Sequence, residues 1–394
     1  MSALARLLRR AYSTATATAA TTTTTAAAAA VEPSLKALSA GLYNERSLKR
    51  LVQKFKKNSV DPRFRTKIGI YEDVVRRLTS AKCFNWIEEI LEDQKWFKDM
   101  SKEGFNARLI SLYGKAGMLQ HAHEVFDEMP SRNCKQTALS FNALLAACLN
   151  SKKLEKVEEL FNELPKKLEI QPDVVSYNTL MKAYCEMGSL ESGVKLLDEM
   201  ESKGLVPNLI TYNILLNGLY ANEKLEDGDR VWEKMVGKEV SPDIRTYNAK
   251  LLGLSSTKRT TEAVGLLEEM KNKEIKPDAI SFSVLIKGFI KEGNLEEVKR
   301  VYGEMQEAGF KPDKFGFSKL VPFACEKGDM GFASELAKDV FKAKRLLEEV
   351  LLQQVVDCLT KESKLKEAEE VVQLGNKCGY FHYKLKVPTE EQAN

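Results

Sequence analysis

The chain has 394 residues, 43% hydrophobic and 29% charged, with a formal net charge of +4. That length exceeds what one hydrophobic core ordinarily serves, so the chain must be several domains or a repeat array. No apolar run near 18 residues is available to cross a bilayer, and the seven cysteines (Cys83, Cys134, Cys148, Cys185, Cys325, Cys358, Cys378) and three histidines (His121, His123, His382) have neither C-x-x-C nor metal-ligand spacing, so neither metal nor cofactor is expected.

The first segment, 1–31, reads "MSALARLLRRAYSTATATAATTTTTAAAAAV", with Arg6, Arg9 and Arg10, abundant Ser, Thr and Ala, and no acid before Glu32. Such a stretch has the composition of an organelle transit peptide, predicted to be disordered, with mitochondrion favoured and plastid as the alternative. The Arg10-Ala11-Tyr12-Ser13 run resembles mitochondrial cleavage sites with Arg three positions before the cut, which would place it after Tyr12. Without those three arginines the chain carries 57 basic against 56 acidic residues, so bulk charge makes no case for nucleic acid. One local patch does. In the predicted helical segment 32–67, a degenerate repeat, Arg46, Lys49, Arg50, Lys54, Lys56, Lys57, Arg63, Arg65 and Lys67 accompany a single acid, Asp61, from Arg46 onward.

From 68 to 383 the sequence repeats. "QPDVVSYNTL" at Gln171 returns as "VPNLITYNIL", "SPDIRTYNAK" and "KPDAISFSVL", each 35 residues further on. The units run 103–137, 138–173, 174–208, 209–243, 244–278, 279–313 and 314–348, with weaker ones at 68–102 and 349–383, and are clearest over 138–313. A fixed period of this size predicts a solenoid. Within the unit beginning at Val174, Tyr177, Leu180, Met181 and Tyr184 form one helical face, and Gly188 ends that helix. Ser189 is placed to cap a second helix with Val194, Leu196, Leu197 and Met200 on its apolar side. Pro207 prevents continuation. Each unit is therefore a helical hairpin.

The recurring Met200, Met235, Met270 and Met305 read as core, and Pro172, Pro207, Pro242, Pro277 and Pro312 as punctuation. Small residues at Ala122, Gly193, Gly228, Ala263, Ala333 and Ala368 let neighbouring helices approach. The fold predicted is all-α: a right-handed α-solenoid of about eight or nine stacked hairpins with a concave inner surface, followed by a disordered tail at 384–394.

Packing leaves one position without a reason. Asn142, Asn178, Asn213 and Asn248 sit early in the first helix of their units, where Asn is worse than Ala by about 0.5–0.7 kcal/mol. Asp173, Asn208, Asp243, Asp278 and Asp313 are accounted for as N-caps, whereas the asparagines call for a task other than the fold. Replacing Asn213 with Ala is on this reading neutral or stabilising.

The pattern V-x-[ST]-Y-N-x-L…G…A…M…G…P-D resembles the pentatricopeptide repeat, P-class. That resemblance implies that one repeat reads one RNA base through its fifth and last residues while the second packs beside the base. The implied reading pairs are Asn142 with Asp173, Asn178 with Asn208, Asn213 with Asp243, Asn248 with Asp278, and Ser283 with Asp313. They imply uracil for Asn with Asp, a pyrimidine for Asn with Asn, and guanine for Ser with Asp. Leu139, Val175, Ile210 and Ile280 would pack beside bases, and Arg245 departs from the aliphatic pattern. The thirteenth residue, a backbone-contacting lysine in the family, is Lys115, Lys291 and Lys361 here but Glu186 and Glu326 elsewhere.

The resemblance extends to small plant members of the family that accompany the mitochondrial ribosome. It implies a non-catalytic, monomeric RNA-binding protein. Its partners would be ribosomal or other single-stranded RNA and mitochondrial ribosomal proteins, with no membrane span. An adaptor on mitochondrial messenger RNA and a protein-binding scaffold are the alternatives. The sequence shows no H-x-E with C-x-x-C for a deaminase zinc and no P-loop, and it ends shortly after the last hairpin in "YFHYKLKVPTEEQAN".

Overall fold

The computed structural model describes residues 34–388, so the transit-peptide reading of 1–31 and the last six residues of the tail lie outside the described residues. The described residues are helical without strands and fall into two compact units that divide between Asp93 and Gln94.

The first unit holds the helices Leu35–Tyr43, Leu48–Asn58, Pro62–Arg65, Ile68–Ser80 and Phe84–Glu92. Phe55 is its centre. Its ring stands edge-on to Phe64 and Tyr71, with centroids 5.6 and 4.8 Å away, and all three side chains are fully buried.

The second unit is a right-handed α-solenoid of hairpins. The first helices run Glu103–Lys115, Ala138–Asn150, Val174–Met187, Leu209–Ala221, Ile244–Ser256, Ala279–Glu292, Lys314–Glu326 and Glu349–Lys361, each followed by an antiparallel second helix. The aromatic fourth residue of five successive units (Tyr177, Tyr212, Tyr247, Phe282, Phe317) is buried against the second helices, as are Met200, Met235, Met270 and Met305. No hairpin buries this stripe alone, so each depends on its neighbour.

Curvature follows from which helices touch. Each first helix packs along the first helix of the next unit, while second helices meet extensively only where Met330–Lys342 lies against Leu365–Asn376. The row of first helices is thus the shorter, concave side. Gly114 marks a close approach of backbone to backbone: a Cβ there would stand 2.5 Å from the Cα of Ala147 in the next first helix. Gly218, Gly253 and Gly288 form a further row of this kind, in which an added Cβ would come within 3.0 Å of Cys185, Tyr220 and Ser255. These first-helix glycines add to the small second-helix residues named from the sequence, of which Gly228 would set a Cβ 2.4 Å from the Tyr220 ring and Ala122, Ala263, Ala333 and Ala368 are fully buried.

The turn inside each hairpin uses one left-handed residue. Gly117, Gly188, Gly293 and Gly328 take it with φ of 73–78°, and Lys152, Glu223, Lys258 and Ser363 adopt it without being glycine. Ser189 does not cap the second helix as expected. Its side chain makes no cap hydrogen bond, because the turn geometry (φ −80°, ψ 57°) is not that of an N-cap with its oxygen over the helix end.

The glycine packing has a testable sign. Gly114→Ala improves helix propensity by about 1 kcal/mol but forces a backbone overlap, so the variant should be less stable by about 1–3 kcal/mol in thermal or denaturant unfolding. A melting temperature at or above that of the parent would contradict the packing described.

Candidate nucleic-acid interface

The end of each unit builds the start of the next. Proline stops the second helix, and the following Asp or Asn caps the next first helix. Asp173, Asn208, Asp243 and Asp278 each accept N–H bonds from the second and third helical residues, and the Ser or Thr at that third place accepts the cap's own N–H in return. At Asp243 these bonds are 3.0 Å to Arg245 N, 3.0 Å to Thr246 N and 3.0 Å back to Thr246 Oγ1.

The asparagine joins this box from the preceding unit. Asn213 Nδ2 donates to Asp243 Oδ1 at 3.1 Å, and the Thr246 hydroxyl donates to Asn213 Oδ1 at 2.7 Å. Asn142 repeats the arrangement with Asp173 (3.0 Å) and Ser176 (2.5 Å), and Asn248 with Asp278 (3.2 Å) and Ser281 (2.6 Å). The asparagine therefore has a structural task that the sequence reading did not see: it ties one unit to the cap of the next. The expectation that Asn213→Ala spares the fold is corrected accordingly.

The other pairs differ for visible reasons. At Asn178 and Asn208 the Thr211 hydroxyl bonds only Asn208 Oδ1 (3.2 Å), and the buried Asn178 Oδ1 has no hydrogen-bond partner. Ser283 donates to the Ala279 carbonyl in its own helix, while Asp313 caps Gly316 N, and Gly316 has no hydroxyl to complete a clip. In the unit at 103, whose fifth residue is Ala107, Glu103 substitutes. Its carboxylate accepts from the Thr137 and Ser140 N–H groups and hydroxyls at 2.7–3.1 Å.

Burial pushes the carboxyls of Asp173, Asp243 and Glu103 upward, but the converging hydrogen bonds outweigh it and hold all three below their ordinary values of 3.8 and 4.5. They are ionised acceptors at neutral pH.

Above the clips runs an apolar row. Leu139, Val175, Ile210 and Ile280 are 53–62% exposed although large and hydrophobic. Phe315 and Val350 continue the row at the same 35-residue spacing, more exposed still, and the sequence reading missed them because their units lack the Tyr-Asn pair. Ile210, Asn213, Asp243, Arg245, Asn248 and Ile280 line one groove of about 590 Å³ across four first helices, with Lys182, Glu186 and Asn217 on its walls. Arg245 is exposed within it. Glu186 is offset by Lys152 at 2.9 Å.

The basic patch is divided. Arg50 and Lys54 pair with the buried Glu45 at 3.2 and 2.7 Å, Lys56 with Glu89 and Asp93 at 2.6 and 3.0 Å, and Arg63 with Asp61 at 2.8 Å. Arg65 is buried and donates to the carbonyls of Ser59 and Val60, which fixes a turn. Arg46, Lys49, Lys57 and Lys67 stand exposed.

Family models for the PPR repeat family match 172–221, 209–256 and 245–291, a pentatricopeptide repeat domain matches 125–187, and a PPR repeat matches 108–134 and 280–310. The chain belongs to the pentatricopeptide repeat family. It is similar to two Arabidopsis thaliana proteins of that family. One is small ribosomal subunit protein mS78 (rPPR3a), 54% identical over 211 residues, which are 52% of this chain and 53% of the relative. The other is small ribosomal subunit protein mS79 (rPPR3b), 51% identical over 208 residues, again 52% and 53%. The match thus spans about half the length of these relatives. Pentatricopeptide repeat-containing protein At2g18520, mitochondrial, from the same plant is 41% identical over 135 residues, 34% of this chain and 32% of the relative.

Two measurements check the clip. Asn213→Ala loses two side-chain hydrogen bonds and regains part in helix propensity, so unfolding should show a net loss of about 1 kcal/mol. Because the three carboxyls are depressed, their contribution is complete above their ordinary values near pH 4 and is lost as pH falls through the lower folded values. Melting temperature should hold between pH 7 and 5 and drop below pH 4, less steeply in Asp243→Asn. Equal slopes in the two proteins would remove Asp243 from the account.

Proposed function

We propose that the chain binds single-stranded RNA along its row of first helices and serves as a non-catalytic component or companion of the mitochondrial small ribosomal subunit. One observation carries the binding reading: exposed apolar side chains, interrupted at Arg245, alternate with hydrogen-bonding Asn–Asp pairs, and Ile210, Asn213, Asp243, Asn248 and Ile280 share one groove. An exposed Val or Ile offers a stacking surface to a base, and the pair beside it offers a donor and an ionised acceptor to the base edge. A spacing of one such station per unit suits bases splayed out in register.

The reading pairs are those named from the sequence. The clipped ones, Asn142 with Asp173, Asn213 with Asp243 and Asn248 with Asp278, present the same chemistry and take the same base, uracil. Asn178 with Asn208 presents a neutral amide at the cap and takes a pyrimidine, while Ser283 with Asp313 is the weakest station. Phosphates are met by Arg245 and by the exposed cations Arg46, Lys49, Lys57 and Lys67. The ribosomal assignment is supported by the names of the two relatives and by the short array of clear stations. The mitochondrial location is supported by the Arg-bearing, acid-free segment 1–31 and by the mitochondrial relative.

Sedimentation of a mitochondrial extract should place the protein with the small ribosomal subunit and release it on ribonuclease treatment. Recovery only with free messenger ribonucleoprotein would favour the adaptor reading, and ribonuclease-insensitive association would favour the scaffold. With purified protein, Asp243→Ala should weaken binding to a U-rich oligonucleotide by about 1–3 kcal/mol. Neutralising the four exposed cations should flatten the salt dependence by about two to three units of slope. Unchanged affinity or slope would remove the respective group from the interface.

A further inference from the structure

We propose that the buried hydroxyl at the third place of the following unit (Thr246, and by repetition Ser176 and Ser281) is a positioning residue for base selection, fixing which end of the reading amide faces the groove; this rests on the base-reading function proposed above. An asparagine side chain has two ends of nearly equal size, one donor and one acceptor. What it reads depends on which end is turned outward.

At Asn213 the bonding favours one orientation. The Thr246 hydroxyl accepts the Asp243 N–H at 3.0 Å, so its single proton goes to an acceptor; Asp243 Oδ1 lies 2.9 Å away and already accepts three N–H bonds, and Asn213 Oδ1 is nearer at 2.7 Å. The amide nitrogen is then turned to Asp243 Oδ1 at 3.1 Å, which uses one of its two protons. The N–H bonds to Asp243 from Asn213, Arg245 and Thr246 all converge on Oδ1. The outward face of the station therefore holds one amide N–H from Asn213 beside Asp243 Oδ2. A single bond to the aspartate would leave the amide plane free to turn about it, and the second bond, to the hydroxyl, fixes the plane. Thr246 itself is fully buried and cannot touch RNA.

The unit at 174 provides the contrast. Thr211 forms the same capping box, with its hydroxyl 3.2 Å from Asn208 Oδ1 as the other hydroxyls lie 2.9–3.2 Å from their own caps, but here it makes no bond to the preceding asparagine, and the buried Asn178 Oδ1 has no partner. There the capping hydroxyl is present and the amide is not locked. Thr211 and Thr246 are thus equal in their own helices and unequal in what they do for the preceding asparagine.

The test uses an oligonucleotide panel in which each position carries each of the four bases, with melting curves on the same proteins. Asn213→Ala identifies the nucleotide read by this station as the one whose preference it abolishes. Thr246→Val should reduce discrimination at that nucleotide by about tenfold, the weight of one bidentate base contact, and Thr246→Ser should restore it. Thr211→Val, which loses an equivalent cap, should melt lower to a similar extent and leave discrimination at every nucleotide unchanged. Ser281→Ala repeats the experiment at the adjoining nucleotide, should Thr246→Val fail to fold. Parental discrimination in both Thr246→Val and Ser281→Ala, or an equal loss in Thr211→Val, would overturn the proposal while leaving base reading intact. Absence of any base preference sensitive to Asn213→Ala would end base reading itself, and the proposal with it.

Discussion

The stack depends most on one oxygen atom in each of three caps. Asp243 Oδ1 closes the N-terminus of its own helix and also receives the amide of Asn213 from the unit before, and Asp173 and Asp278 do the same. A helix end needs its free N–H groups satisfied, and a solenoid needs each hairpin held at a fixed angle to the last. Both needs converge here, so the residue that starts a helix also sets the register of the stack. The 35-residue period is the distance at which the capping residue recurs, from Asp173 through Asn208 and Asp243 to Asp278.

From that register the surface chemistry follows. Once first helices are locked in parallel, whatever stands at their second place forms a row, and here the row is aliphatic or aromatic from Leu139 to Val350, with Arg245 as the interruption. Exposing so many large apolar groups in line is unfavourable for a free surface and suits one that receives flat partners. The carboxylates below the row stay ionised because the clip stabilises their charge despite partial burial. Stability and the proposed recognition thus draw on the same pair of side chains, which sets limits on changing one without the other.

Much of this was legible in the chain itself. Period, hairpin, proline stops and Asp caps could be read from residue types, because each reflects a local rule about helix ends. The asparagine was misread since its partners lie 30 to 34 residues away, and propensity alone compares it with Ala as though the helix stood by itself. Phe315 and Val350 were missed because motif degeneracy hid their register, although counting 35 residues from Ile280 would have found both. The nine-cation patch looked uniform in sequence. Folding divided it, since Glu45, Glu89 and Asp93 draw in three of its members and Arg65 turns inward to backbone carbonyls. First-helix glycines such as Gly114 gave no signal of close packing, because a glycine in a helix reads only as a weak spot until its neighbour is known.

The central claim is that RNA lies along the first-helix groove. Photocrosslinking of a 4-thiouridine-substituted oligonucleotide, with adducts mapped by mass spectrometry, tests it most directly. The account predicts adducts on the peptides bearing Ile210, Asn213, Arg245 and Ile280, competed by unlabelled U-rich RNA. Adducts confined to the second helices, or none in the second unit at all, would contradict it.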